Sequence, residues 1–380
     1  MRADGAWRER AETQAVCAML VAAGHQALFV GGCVRNALLR QPVADVDIAT
    51  DATPETVTKL AEKAGLKPVP TGIDHGTITV VSGGIPHEVT TFRRDVETFG
   101  RHAVVAFSTD VREDAARRDF TMNALYARPD GEIIDPLGGL PDLLARRVRF
   151  VGVAEERITE DYLRILRFFR FHAWYGDPEE GLDPDGLAAC AENESGITTL
   201  SKERIGAEMR KLLAAPDPAP AVAAMAATGV LGFALPGADP RALPVLVHLE
   251  AGLSPRWLRR LAVLGGEEPT DQLRLSKAES RDLGRIRDEI GTMRSPAELG
   301  YRHGEEIARD IVLARAAVLE TPLPDGWLAE IATGAGACFP VRAADLMPEY
   351  AGPALGARLA EIERRWIDSG FTLTRDALLG

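Results

Sequence analysis

Asp45 and Asp47 are the first residues in the chain whose type and spacing suggest chemistry. On an extended segment, residues two apart point to one face, so the two carboxylates project together while Val46 and Ile48 turn to the other side. Like charges so placed repel unless a cation sits between them. Hard oxygen donors favour Mg²⁺, which commonly takes one or two carboxylates and completes its shell with phosphate and water. Two solvated aspartates at a strand end would give the same spacing, and an EF-hand is excluded because the next ligand position is Ala49. Upstream, Gly31 and Gly32 follow the apolar run ALFV and precede CVRNALL. Such a strand-to-helix turn lets a ligand approach the backbone, and the unpaired N–H groups of the helix start suit phosphate. Arg35, one turn in, reaches toward the same anion or stands at the surface of an ordinary tight turn. No Gly-Lys-Ser/Thr and no G-x-G-x-x-G occurs, so neither a Walker A loop nor a dinucleotide fingerprint is present.

The elements that position these residues come from hydrophobic periodicity. Residues 6–24 predict a helix, ALFVGG at 27–32 a buried strand and turn, 33–39 a helix, and VADVDIAT at 43–50 a strand. Thr53-Pro54 opens another helix, with Thr53 as cap and Pro54 at the first helical position. TITVV at 77–81 and HEVTTF at 87–92 flank Ser82-Gly83-Gly84-Ile85-Pro86, a hairpin signal. Beyond residue 155 strand signals fade. Residues 159–175, 201–214 and many later segments show helical periodicity, broken by Pro-rich stretches at 216–220 and 235–244. The expected architecture is an α+β head with a small mixed sheet, followed by an all-α arm: a head at 1–150, a helical neck at 151–214, and a body with tail at 215–380.

A chain of 380 residues is longer than one compact domain usually is. With 46% hydrophobic and 26% charged residues it has the make-up of a globular protein, and its formal charge of −12 argues against coating nucleic acid by bulk charge. A local basic groove is still open to it, because Arg supplies planar donor forks for phosphates and base edges. Four scattered cysteines form no C-x-x-C pair, which points to a reducing compartment rather than a disulfide framework or zinc site. The polar start of the chain and the lack of a roughly 20-residue apolar run predict a cytoplasmic protein with no membrane partner.

Taken together, GGCVRN and DVDIAT resemble the opening signature of the nucleotidyltransferase superfamily that includes polymerase beta, and within it the bacterial class II CCA-adding enzymes and poly(A) polymerases. That signature is Gly-Gly-x-Val-Arg-Asp followed by Asp-x-Asp; this chain departs from it at Asn36, which keeps an acceptor oxygen but loses the charge. Asn36 is therefore left out of the catalytic set. ARRDFTMNALY at 116–126 looks like the family's ribose-recognition motif, which implies that Arg117, Arg118 and Asp119 lie near sugar and phosphates. The same residues would also make a solvated charge cluster with a helix cap. TEDYLRILRFFR at 159–170 looks like the family's nucleotide-template helix. Asp161, Arg164, Arg167 and Arg170 recur every three residues along one slowly drifting face. Glu160, four before Arg164, stands in the favourable ion-pair order. An acceptor at Asp161 beside a donor at Arg164 matches the exocyclic amine and ring nitrogen of both cytosine and adenine, and opposes uracil and guanine. A solvent-facing, salt-bridged helix carries the same pattern. HEVTTF supplies Glu88, the candidate third carboxylate on a neighbouring strand or else a surface strand residue. Residues 93–105 resemble the family's flexible loop, thought to help switch from C to A addition; 201–213 matches the motif closing the neck; and the C-terminal stretch looks like the family's tail.

The resemblance thus implies template-independent addition of CMP and AMP, from CTP and ATP, to the 3′ end of tRNA. Two Mg²⁺ ions would be held by Asp45 and Asp47, one activating the 3′-hydroxyl and the other neutralising pyrophosphate. Gly31, Gly32 and Arg35 would cradle the triphosphate. Helical-arm residues such as Arg256, Arg259, Arg260, Arg281 and Arg285 are expected to grip tRNA, and no obligatory protein partner is implied. Two rivals share the signature: a poly(A) polymerase, and a nucleotide-binding relative without activity. The second draws only on Asn36, and the intact aspartate pair speaks against it. An attached HD phosphohydrolase is not expected, since no His-Asp dipeptide occurs.

Overall fold

The computed structural model describes residues 1–73, 76–99 and 102–380, and over 95–99 and 102–105 the backbone alone. The chain forms two compact units, Met1–Ala234 and Leu235–Gly380. All the strands described below belong to the first: β1 (Leu28–Val30), β2 (Asp47–Thr50), β3 (Lys67–Gly72), β4 (Thr77–Ser82), β5 (Ile85–Thr91), β6 (Arg93–Phe99), β7 (His102–Phe107), β8 (Tyr126–Ala127) and β9 (Ile133–Ile134). Seven of them make one mixed sheet in the order β3-β4-β5-β2-β1-β8-β9, while β6 and β7 pair as a separate ribbon. Residues 100 and 101, within the segment expected to act as the C-to-A switching loop, lie outside the described residues.

Within the sheet only β2 and β5 run parallel, with Asp47 opposite Glu88 and Ile48 opposite Val89. The β4–β5 hairpin is tighter than the sequence suggested. Only Gly83 and Gly84 sit between the strands, at φ 54° and 84°, as a two-residue turn with two left-handed positions requires. Strand β2 is shorter than expected: residues 41–46 pair with no strand, so Asp45 precedes the ladder and Asp47 begins it. The helix expected at 6–24 is two helices, Ala6–Glu9 and Ala11–Ala22, meeting at an extended Arg10. Local capping signals hold. The Thr53 hydroxyl accepts the Thr56 N–H at 3.3 Å ahead of Pro54–Lys63. Ser201, not singled out as a cap in the sequence, caps Lys202–Leu213 in the same way.

One apolar core of this unit joins Leu28 and Val30 of β1 to Ala49, Phe92, Ala115 and the fully buried Tyr126. A second is aromatic. Phe120 lies 5.0 Å from both Phe150 and Phe171 between ring centroids, and Phe150 stacks on Phe168 at 5.4 Å. The second unit is helical, its stretch Pro296–Val318 broken into two helices at Gly304 (φ 77°, ψ 168°), and has its own core around Trp366, Ile362 and Leu378. The architecture is an α+β head continued by helices. Among the described residues no helix is long and apolar enough to cross a membrane.

Candidate active site

Register across β2 and β5 brings two carboxylates together from residues 41 positions apart. Registered residues of neighbouring strands share a face, so Asp47 and Glu88 stand side by side, and Asp45 joins them from the unpaired approach to β2. The three line a cavity of about 550 Å³ with Arg10, Thr13 and Thr79. None of the three carboxylates has a hydrogen-bond or ion-pair partner among the described residues. The electrostatic consequence falls on Asp47. Burial first, then the neighbouring Glu88 and, more weakly, Asp45 push its carboxyl from 3.8 up to about 6 against the opposing pull of Arg118. Concentrated negative charge without an ion-pair partner, offered by hard oxygens on the wall of an open cavity, suits a divalent metal. Among the described residues no group of three or more His, Cys, Asp or Glu is placed to hold a metal ion. A two-carboxylate site that leaves the remaining positions to phosphate and water needs none.

Next to these carboxylates is the glycine turn. Gly31 has φ 70° and ψ −119°, a conformation that L side chains rarely adopt, and it caps the helix Gly32–Leu38. A β-carbon built on Gly31 would meet Arg118 Nη1 at 3.5 Å, and one on Gly32 would meet Arg35 Nη2 at 3.8 Å. Two guanidinium groups therefore flank the turn, in different circumstances. Arg35 is buried: it donates to Asn123 Oδ1 at 2.6 Å, to Tyr175 Oη at 2.8 Å and twice to Asn36 Oδ1 at 3.1 and 2.9 Å. Its plane lies 4.0 Å from the Tyr175 ring centroid, and burial lowers its pKa. Asn36 in turn donates to the Pro42 carbonyl at 2.9 Å, which ties the helix to the approach to Asp45. An aspartate at 36 would have no N–H to give, so the amide makes a contact that the family's carboxylate does not.

Arg118 donates Nε to Tyr126 Oη at 3.1 Å and Nη2 to Asp114 Oδ2 at 3.0 Å, while Nη1 has no acceptor among the described residues. Arg117 pairs with the same Asp114 at 2.8 Å. Asp119 is buried, with both oxygens taken inside the protein. Oδ1 accepts from Phe120 N and Asn123 Nδ2, and Oδ2 from Arg167 Nε at 2.8 Å. Burial alone would raise its pKa, but Arg167 and these hydrogen bonds hold it at about 2.

The charged helix departs from expectation at its start. Residues 159–175 form two helices, Ala154–Glu160 and Leu163–Tyr175, and Asp161 sits at the junction with φ −154° and ψ 103°. Its Oδ1 accepts the Leu163 N–H, and Oδ2 pairs with Arg204 at 2.7 Å. A residue whose side chain competes for the backbone N–H two positions on favours such a break. The Glu160–Arg164 pair forms at 2.5 Å, and Arg164 Nη1 also donates to the Arg157 carbonyl at 2.7 Å. Arg170 is directed away from this cluster, onto buried Glu208 at 2.5 Å.

In the second unit, two of the arginines expected to grip tRNA are internal. Arg259 and Arg260 are 2% and 1% exposed and pair with buried Glu250, Arg259 also with Asp310. The helix Trp257–Leu264 is packed on nearly every side, so spacing alone misjudged its polar residues. Arg256 pairs with Asp310 and Glu306. Arg281 and Arg285 are on the surface. Sequence reasoning gave no role to Asp114, nor to Tyr126, Asn123 and Arg204 within the motifs at 116–126 and 201–213. The signal for Asp114 was present, since it stands three and four residues before Arg117 and Arg118.

Residues 27–149 match the family described as the Poly A polymerase head domain, and 181–241 that described as the probable RNA and SrmB-binding site of polymerase A. The chain is 33% identical to mouse "CCA tRNA nucleotidyltransferase 1, mitochondrial" over 93% of its own length and 86% of the mouse protein's. It is 36% identical to the CCA-adding enzyme of Geobacillus stearothermophilus over 80% of this chain and 77% of that one. The match to the human mitochondrial relative, at 43% identity, spans 45% of that protein. Among solved structures, the Bacillus stearothermophilus CCA-adding enzyme in complex with CTP superposes with a TM-score of 0.75 at 32% identity, covering 94% of this chain and 92% of the other. A Thermotoga maritima CCA-adding enzyme complexed with tRNA, at 18% identity and a TM-score of 0.71 over 96% and 92%, shares the fold.

Proposed function

Because the chain belongs to the family of CCA-adding tRNA nucleotidyltransferases, we infer that it adds CMP and AMP, from CTP and ATP, to the 3′ end of tRNA with release of pyrophosphate. The observation that carries this reading is the Asp45–Asp47–Glu88 cluster standing without an ion-pair partner among the described residues beside the Gly31 turn. We assign Asp45 and Asp47 as the ligands of two Mg²⁺ ions, which when bound lower the pKa of the 3′-hydroxyl and neutralise the leaving pyrophosphate. Glu88 adds to the negative field that draws cations to Asp47. The Gly32 N–H at the helix start and the open end of Arg118 receive the triphosphate, while the Gly31 N–H is held by the Leu125 carbonyl at 3.3 Å. Arg35, its donors given to Asn36, Asn123 and Tyr175, holds the turn in shape from beneath. Asp119, clamped by Arg167, sets the sugar-side wall with Arg117. Asp161 and Arg164 present an acceptor and a donor to the base edge, steadied by Arg204 and Glu160, while Arg170 anchors the helix Leu163–Tyr175 that carries Arg164. We divide the chain by role into a head at 1–150, a neck at 151–214, and a body and tail at 215–380 that hold tRNA. Four unpaired cysteines support a cytoplasmic setting.

The test is end-addition on tRNA lacking CCA, with CTP and ATP. Addition of C, C and A followed by arrest supports the reading, and a long A tail supports poly(A) synthesis, the second reading favoured by the name of the matched head domain. Asp45→Ala should abolish incorporation with the fold retained; incorporation near the wild-type rate would remove Asp45 from the catalytic set.

A further inference from the structure

A buried carboxylate outside the assigned set holds Arg118, the guanidinium whose Nη1 faces Gly31. Asp114 is 1% exposed, at the fourth position of the helix Val111–Ala116. Its two oxygens accept from Tyr126 Oη at 2.6 Å, Arg118 Nη2 at 3.0 Å, Arg117 Nε at 2.9 Å and the backbone N–H of Arg93, at the base of β6, at 3.3 Å. A carboxylate sealed from water with four donors is a node, since its lone-pair directions dictate where each donor sits. The phenol adds a second constraint. Tyr126 is registered against Val30, the residue before Gly31, so the β1–β8 pairing sets its distance from the turn. From there its hydroxyl donates to Asp114 and accepts Arg118 Nε. Two edges of the Arg118 fork are thereby held, and Nη1 is left directed at the space over Gly31.

We propose that Asp114, acting with Tyr126, is a positioning residue that aims Arg118 at the phosphates of the incoming nucleoside triphosphate. The inference rests on the nucleotidyltransferase reading above. Asp114 touches no substrate. A guanidinium fixed along two edges offers its third to an anion without the loss of side-chain freedom that a loose arginine would suffer. Because the phosphates are common to CTP and ATP, the effect is on nucleotide affinity and not on base choice.

The experiment measures equilibrium CTP and ATP binding, inhibition by pyrophosphate, and steady-state KM and kcat for Asp114→Asn, Tyr126→Phe, Arg118→Gln and the Asp114→Asn/Arg118→Gln double variant. Asp114→Asn should weaken CTP and ATP by the same factor, about tenfold for loss of a hydrogen bond between charged groups. Pyrophosphate inhibition should fall in parallel, with KM for tRNA and the C-to-A ratio unchanged. Tyr126→Phe should move the same quantities less, and Asp114→Glu should recover part of the loss. The double variant should be no worse than Arg118→Gln alone. Unchanged nucleotide and pyrophosphate affinity in a folded Asp114→Asn, or losses that multiply in the double variant, would overturn the proposal. If Asp114→Asn does not fold, Tyr126→Phe decides by the same readouts. Wild-type protein whose CTP affinity falls on Asp114→Asn yet which fails to extend tRNA would overturn the functional reading and leave this one standing.

Discussion

Replacing Asp47 by Asn should end catalysis and yet make the metal-free protein more stable. Asp47 is ionised at neutral pH in a half-buried site beside Glu88 and Asp45, and its carboxyl is pushed from 3.8 up to about 6. A carboxyl that holds its proton more tightly when folded opposes folding once it ionises. The penalty is absent below pH 3.8, grows between 3.8 and 6, and is complete above 6. At about 1.4 kcal/mol per pH unit the shift corresponds to about 3 kcal/mol. Water reaching the cavity side reduces this to about 2 kcal/mol. Asn is close to isosteric and carries no charge, so the gain appears at pH 7.5 and vanishes toward pH 4. For a cooperative unit the size of Met1–Ala234, 1 kcal/mol moves the melting temperature by about 2–4 °C, which gives an increase of about 4–8 °C. Calorimetry in EDTA at pH 7.5, 5.5 and 4.0 reads this directly, with exposed Asp45→Asn as the smaller-effect control. Added Mg²⁺ should then raise the melting temperature of wild type more than that of the variant. Equal melting temperatures at pH 7.5, or a gain that persists unchanged at pH 4.0, would refute the account of Asp47 as an uncompensated charge kept for function.

Arg164→Ala should keep incorporation but relax the preference for C and A by about 1–3 kcal/mol, measured by supplying all four nucleoside triphosphates one at a time. Unchanged selectivity would remove Arg164 from base reading. Glu250→Gln should lower the stability of the Leu235–Gly380 unit by about 3–5 kcal/mol, because it strips the charge from the acceptor of two buried guanidinium groups. Limited proteolysis of that unit reads the loss, and nucleotide binding should be unaffected.

What was legible in the residues alone was local. The Gly31–Gly32 turn, the Thr53-Pro54 cap, the β4–β5 hairpin and the Glu160–Arg164 pair each depend on neighbours a few positions apart. Backbone freedom, cap geometry and helical pitch act over that range. The Asp-x-Asp spacing marked a cation site for the same reason, and the ordered motifs carried the family resemblance. Tertiary pairing decided the rest. The parallel β2–β5 register, across 41 residues, set Glu88 against Asp47, and the β1–β8 register placed Tyr126 to hold Arg118. Packing closed over Arg259 and Arg260, which share their residue type with surface Arg281 and Arg285. A side chain's type and spacing state what it is able to do. Whether its charge faces water, a partner or a cavity depends on segments far off in the chain, and no local pattern encodes them.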